Sequence, residues 1–247
     1  MTAGIFALIR ELVAANHVLA NEGLTDGAGH ISVRHPDHPE RYFLSRSRSP
    51  EFVESADIME FDLKNRPIHE DNRPLYSERP IHGATYAARP EVMSVVHNHC
   101  PAVLPFAITN TGMRPAIGTA RRLGERVDVW DIREQFGDTD LLVTTNEQGE
   151  SLAHKLGAAK AVLMRGHGCA VTGVTIADAV TTALAMKKNA TAILDARLLG
   201  EPIVYLTPGE VAQDKSGAAE RRGHDRIWEY LCRRAGVAHV DRDGLTR

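Results

Sequence analysis

The segment EVMSVVHNHC, residues 91–100, is apolar on both faces until it reaches His97 and His99. A strand with one wet face alternates apolar and polar side chains, so this segment belongs in the middle of a sheet that is covered on both sides. Side chains two positions apart on a strand project from the same face. His97 and His99 can therefore meet one metal ion, although two ordinary histidines at a strand end fit the same pattern. A third ligand separates these readings. His167 is the candidate, because it follows the apolar strand AVLM in Arg165-Gly166-His167-Gly168-Cys169, where flanking glycines let the backbone approach a crowded centre. Taken alone it reads as structural. Three imidazoles from two strand ends leave positions open on a divalent ion, the arrangement of a catalytic rather than a closed structural site. Cys100 alternates to the face opposite His99, and Cys100 and Cys169 read as small buried fillers.

Glu78 stands in Tyr76-Ser77-Glu78-Arg79-Pro80, where Ser77 is placed to cap a helix from Glu78 to about Ala88 that leads into the histidine strand. An acid in a first helical turn favours the helix dipole wherever it occurs, so position alone does not make Glu78 functional. Before it, Ile5, Leu8, Ile9, Leu12, Val13 and Val18 recur at helical spacing over residues 5–21. Gly23, Gly27 and Gly29 then introduce GHISVRH and a short strand at RYFLS, the pattern of a site's mouth, with further short strands at SADIMEFD and RPIH. Short helical pieces around PAVLPFAI precede a polar, loop-rich stretch. DLLVTT and AKAVLMRGHGCAV read as strands flanking a helix over NEQGESLAHKLG, with Gly157 as its stop. A long helix runs from Ile176 to about Leu199 behind Thr175 as N-cap, and a last helix from about Ala218 to Arg234.

Charge and composition remove several alternatives. With 29 Lys and Arg against 32 Asp and Glu, the chain lacks the field that non-specific nucleic-acid binding needs. Its apolar runs are interrupted by charges short of the roughly 18 residues of a membrane span. The N-terminal run contains Arg10 and Glu11 and reads as an amphipathic helix rather than a signal peptide. Three cysteines without paired spacing suit the reducing cytoplasm. The 247 residues are 43% hydrophobic and 25% charged, with no internal repeat or Gly/Ser linker, so one compact domain is expected.

The order Ser-Glu, helix, Arg-Pro, apolar strand, HNH and, some way on, R-G-H-G resembles the class II aldolase/adducin family, above all in SERPIHGATYAARPEVMSVVHNH. The resemblance covers residues 5–210, with 211–247 as a C-terminal helical extension of the same domain. It implies a three-layer α/β/α fold around a central, largely antiparallel sheet, one divalent ion on His97, His99 and His167, and homotetramers with sites at subunit interfaces. Glu78 becomes the acid/base group or an additional ligand. The ion implied is zinc or manganese, with iron as a further possibility.

Aldolases of this family hold a substrate phosphate with a Gly-Asn pair and small hydroxyl residues, where this chain has Gly29-His30 and Tyr76-Ser77. Ser45-Arg46-Ser47-Arg48-Ser49-Pro50 likewise replaces their Thr/Gly-rich loop. These features, with VDVWDIREQFGDT, resemble a branch that decarboxylates hydroxylated aromatic dicarboxylates, such as 3-hydroxy-2-methylpyridine-4,5-dicarboxylate and 3,4-dihydroxyphthalate. The expected substrate is then a small aromatic carboxylate, benzene or pyridine, with Glu78 or His30 delivering a proton to the ring. Arg48, with Arg46, Ser47 and Gly29, is expected to hold the substrate, since a guanidinium suits a planar carboxylate. Alternatives are an aldolase acting on a carboxylated hydroxyketo substrate, a non-haem iron oxygenase, and an adducin-like module without metal.

Overall fold

A computed structural model describes residues 2–109, 112–214 and 221–238, with the side chains of 221–225 left aside. Its centre is a seven-stranded sheet in the order β3-β2-β1-β4-β7-β6-β5. The strands are β1 (His30–Arg34), β2 (Arg41–Ser45), β3 (Ile58–Asp62), β4 (Ser94–Asn98), β5 (Val129–Trp130), β6 (Ala161–Met164) and β7 (Gly168–Gly173). All pairings are antiparallel except β5 with β6. The histidine strand, β4, is the middle one, as its two apolar faces require.

Helices are α1 (Ala3–Asn21), α2 (Pro80–Ala88), α3 (Leu104–Ile108), α4 (Arg133–Phe136), α5 (Asn146–Leu156), α6 (Ile176–Arg197), α7 (Pro208–Val211) and α8 (Arg221–Arg234). Strand alternation divides the core in two. Ile31, Val33, Val96 and Val171 face the layer built from α1, α6 and α8. Tyr42, Leu44, Val95 and Ala170 face α2 and α5. The result is the three-layer α/β/α sandwich with a largely antiparallel sheet. Trp228, Leu231 and Cys232 of α8 are buried in the first cluster. The predicted start of that helix, Ala218, lies outside the described residues.

Local chemistry explains the boundaries. Thr2 caps α1, and Thr145 forms a reciprocal capping box with Gln148 at the start of α5. Gly157 ends α5 with a φ of 52°, a conformation glycine adopts without a Cβ penalty. By length and composition α1 could span a membrane, despite its charges. In this fold it is a core helix that buries Ile9, Leu12, Val18 and Leu19.

Four expectations are corrected. The helix after Ser77 begins at Pro80, and Ser77, Glu78 and Arg79 form the turn before it. RPIH is not a strand: Asp62 Oδ1 accepts from the backbone of Lys64 and Arg66, folding a tight turn, and Pro67 makes only an isolated bridge to Phe61. DLLVTT is a loop in which Leu141 takes a φ of 70°. AKAVLMRGHGCAV is two strands, β6 and β7, hinged at Gly166 with a φ of 67°.

Candidate metal centre

β4 ends at Asn98, so His97 leaves from the strand and His99 from the residue just past it. His167 sits in the β6–β7 turn and Glu78 in the turn before α2. One atom from each, the imidazole nitrogens and a carboxylate oxygen, lie within 4.8 Å of one another. His97 Nε2 is 2.9 Å from His99 Nε2, and Glu78 Oε2 is 3.4 Å from both His97 Nε2 and His167 Nε2. His97 is fully buried and His99 and His167 partly so, which places the cluster at the edge of the interior. Gly168 is required here, since a Cβ would lie 2.3 Å from Asn98 O and 3.0 Å from the His99 ring.

The outer nitrogens show what the inner ones offer. His97 Nδ1 meets Cys169 O at 3.1 Å, His167 Nδ1 meets Leu141 O at 2.9 Å, and His99 Nδ1 meets Asp26 Oδ1 at 3.3 Å. A carbonyl or carboxylate only accepts, so each Nδ1 carries the hydrogen and each Nε2 turns a lone pair inward. Two such lone pairs 2.9 Å apart beside a carboxylate oxygen repel one another and call for a cation between them. The donor set therefore fits a divalent ion. Glu78 Oε1 accepts from the Val143 backbone at 3.0 Å, leaving Oε2 to the cluster. Burial favours the neutral acid, yet contacts with His167 and His97 override it and hold the Glu78 carboxyl far below its usual range. His167 is shifted up despite its burial because Glu78 faces it. Burial and His97 push His99 down.

His30 is buried and lies opposite His97 in the β1–β4 register, with ring centroids 5.1 Å apart. Its other wall is the Tyr76 ring at 4.5 Å. Behind it His82, Ser32 and Tyr86 form a buried hydrogen-bonded row that the sequence did not reveal. Burial first, then His97, pushes His82 down to about 3.

The structure does not bring Arg46 and Arg48 into the four-residue cluster. Both are held by one buried carboxylate, with Arg46 Nε 2.7 Å from Asp57 Oδ1 and Arg48 Nη1 2.7 Å from Asp57 Oδ2. Ser47 is tied through its backbone to Pro74 O. Gly29 is a packing position, where a Cβ would lie 2.5 Å from the Thr25 side chain. This loop still touches the site, because the Tyr76 hydroxyl donates to Arg48 O. Cys100 and Cys169 are buried, and burial raises both thiols, as expected of fillers.

Residues 10–194 match the model of the Class II Aldolase and Adducin N-terminal domain. The decarboxylase tropJ of Talaromyces stipitatus is 32% identical over 195 residues, 74% of this chain and 73% of that protein. The 3,4-dihydroxyphthalate decarboxylase of Arthrobacter keyseri is 31% identical over 215 residues, 83% of this chain and 85% of that protein. Among solved structures, an aldolase II superfamily protein from Pseudomonas syringae superposes with a TM-score of 0.79 at 20% identity, covering 95% of this chain and 94% of the other. The family model spans most of the chain, and the chain belongs to the class II aldolase and adducin family.

Proposed function

We propose that this protein is a metal-dependent carbon–carbon lyase that decarboxylates a small hydroxylated aromatic carboxylate. The observation that carries the reading is the convergence of three imidazole Nε2 atoms and one carboxylate oxygen, together with sequence similarity to decarboxylases at about 30% identity over most of the chain. His97, His99 and His167 hold the ion and Glu78 is its neighbour and fourth ligand at rest. Zinc or manganese suits such a set, and ferrous iron is the third candidate. When bound, the ion supplies Lewis-acid polarisation of the substrate's hydroxyl and neighbouring carboxylate oxygens.

The protein's own groups then manage one proton. Glu78, a carboxylate at rest, takes the proton of the substrate hydroxyl and returns it to the ring carbon that carries the departing carboxylate. The electron pair of the broken carbon–carbon bond stays with the ring as carbon dioxide leaves, and the product oxygen takes a proton from water on release. His30 lines the opposite wall. At the rim, Arg48 exchanges its loose Nη2 contact with the exposed Glu54 carboxylate, 3.8 Å away, for a second substrate carboxylate while Asp57 fixes Nη1.

The working unit is proposed to be a cytoplasmic homotetramer with sites at subunit interfaces. Exposed Phe6, Phe52, Ile108, Val174 and Tyr230 supply apolar surface for such contacts, and light scattering tests the mass. Protein loaded separately with zinc, manganese or ferrous iron is to be offered hydroxylated aromatic dicarboxylates, hydroxyketo acids and sugar phosphates. Carbon dioxide release from the aromatic acids supports the reading. Aldehyde release from a hydroxyketo acid or sugar phosphate, or oxygen consumption, contradicts it in favour of an aldolase or an oxygenase.

A further inference from the structure

The row behind His30 has a direction. His30 Nδ1 is 2.7 Å from His82 Nε2, His82 Nδ1 is 2.6 Å from Ser32 Oγ, and Ser32 Oγ is 2.7 Å from the Tyr86 hydroxyl. All four side chains are at most 1% exposed. The order of hydrogens is set at the far end. The Arg34 guanidinium lies over the Tyr86 ring at 4.8 Å and has only donors. Among the described residues, Ser32 Oγ is thus the acceptor left for the Tyr86 hydrogen. Ser32, having accepted, gives its own hydrogen to His82 Nδ1. His82, accepting at Nδ1, carries its hydrogen on Nε2 and donates it to His30 Nδ1. His30 then carries its hydrogen on Nε2, the nitrogen that has no partner among the described residues. The opposite order would strand the Tyr86 hydrogen in a dry interior, the costly case for a buried donor.

The row also ends blind. Tyr86 is 1% exposed, and Arg34 is fixed behind it by the carbonyls of Val92, Tyr86 and Arg89. A blind row orients rather than conducts. We propose that Tyr86, Ser32 and His82 are positioning residues that hold His30 as its uncharged Nε2–H tautomer, so that His30 presents a fixed hydrogen-bond donor to an anionic oxygen of the substrate. The substrate class named here, a hydroxyaryl carboxylate, rests on the function proposed above, whereas the tautomer does not. With Arg46 and Arg48 both engaged by Asp57, His30 is the donor already inside the wall of the site, next to His97.

The test is nitrogen NMR of the zinc-loaded, full-length protein labelled with ¹⁵N-histidine, with His30 assigned by its loss in His30→Gln. The expected spectrum near neutral pH has His30 protonated at Nε2 and bare at Nδ1. Tyr86→Phe and Ser32→Ala remove the hydrogen that sets the order. Each should keep its zinc, show His30 exchanging between tautomers, and lower kcat/KM by roughly 10- to 100-fold, the size of effect seen when the partner of an oriented imidazole is lost. Ser32→Thr restores a hydroxyl and should restore the wild-type tautomer. A purely structural role would change stability and leave the tautomer alone. Wild-type His30 protonated at Nδ1, or an unchanged Nε2–H tautomer in both variants, overturns the proposal. A protein with the expected tautomers that releases no carbon dioxide from any hydroxyaryl carboxylate upholds the positioning row and removes the decarboxylase reading.

Discussion

His97, His99 and His167 each keep Nδ1 on an acceptor and turn Nε2 toward Glu78 or toward one another. Alanine at any of the three deletes the inward Nε2 lone pair together with the Nδ1–H that its carbonyl or carboxylate partner accepts. Each variant is expected to lose stoichiometric divalent metal and nearly all turnover while its far-ultraviolet circular dichroism stays native. Full metal content by elemental analysis removes that residue from the ligand set. Glu78→Gln keeps the shape but neither the charge nor the proton, so turnover should fall by roughly 10²-fold or more. Near-normal turnover with metal retained moves the proton transfer to His30. The gathering of the three histidines was foreshadowed by an HxH pair and a glycine-flanked histidine, whereas Glu78 stood out only through the family resemblance. His82 was not legible: Tyr86 stands one turn along α2 from it, but the row closes only through Ser32, which packing brings from β1, and nothing in the local spacing marks that contact.

Among the elements, loops rather than strands separate the sequence reading from the fold. DLLVTT has strand composition, yet the Val143 N–H is used by Glu78 and Leu141 O by His167, so the segment serves the site rather than a sheet edge. Spacing cannot reveal that choice, because it is made by residues far along the chain. The loop over 45–57 is similar: SRSRSP advertised two free guanidinium groups, and the partner that binds both, Asp57, reads in sequence as the lead-in to a strand. Burial raises the Asp57 carboxyl, but the Glu54 backbone and both arginines outweigh it and hold the group below its ordinary value of 3.8. A carboxyl lowered on folding contributes stability that is present above that ordinary value and is lost as pH falls through the folded one. The melting-temperature deficit of Asp57→Asn should therefore be largest near neutrality and shrink below about pH 3.8. A deficit independent of pH contradicts the pairing.

Arg48 belongs to the same loop. Arg48→Lys keeps the charge and loses the fork, and should cost about 1 to 3 kcal/mol of transition-state stabilisation on a dicarboxylate, with Arg48→Ala costing more. Both losses should shrink on a monocarboxylate, which has no second carboxylate to hold. Equal losses on the two substrates make Arg48 a structural partner of Asp57 alone.

For the molecule as a whole, the two apolar faces of EVMSVVHNHC called for a sheet covered on both sides, whereas the three-layer α/β/α arrangement came with the family resemblance. The layered core places β4 in the middle, so His97 leaves from the central strand and His99 from just past its end, with His167 brought to them by the β6–β7 turn. A site built this way is expected to be preformed and to take one ion per chain. The most direct measurement is titration of metal-free protein with its activating ion while carbon dioxide release from a hydroxylated aromatic dicarboxylate is followed. Activity is expected to rise linearly and to break at one equivalent per chain, with His97→Ala inactive throughout. Full carbon dioxide release by the metal-free protein, or none at any metal content, would contradict that expectation.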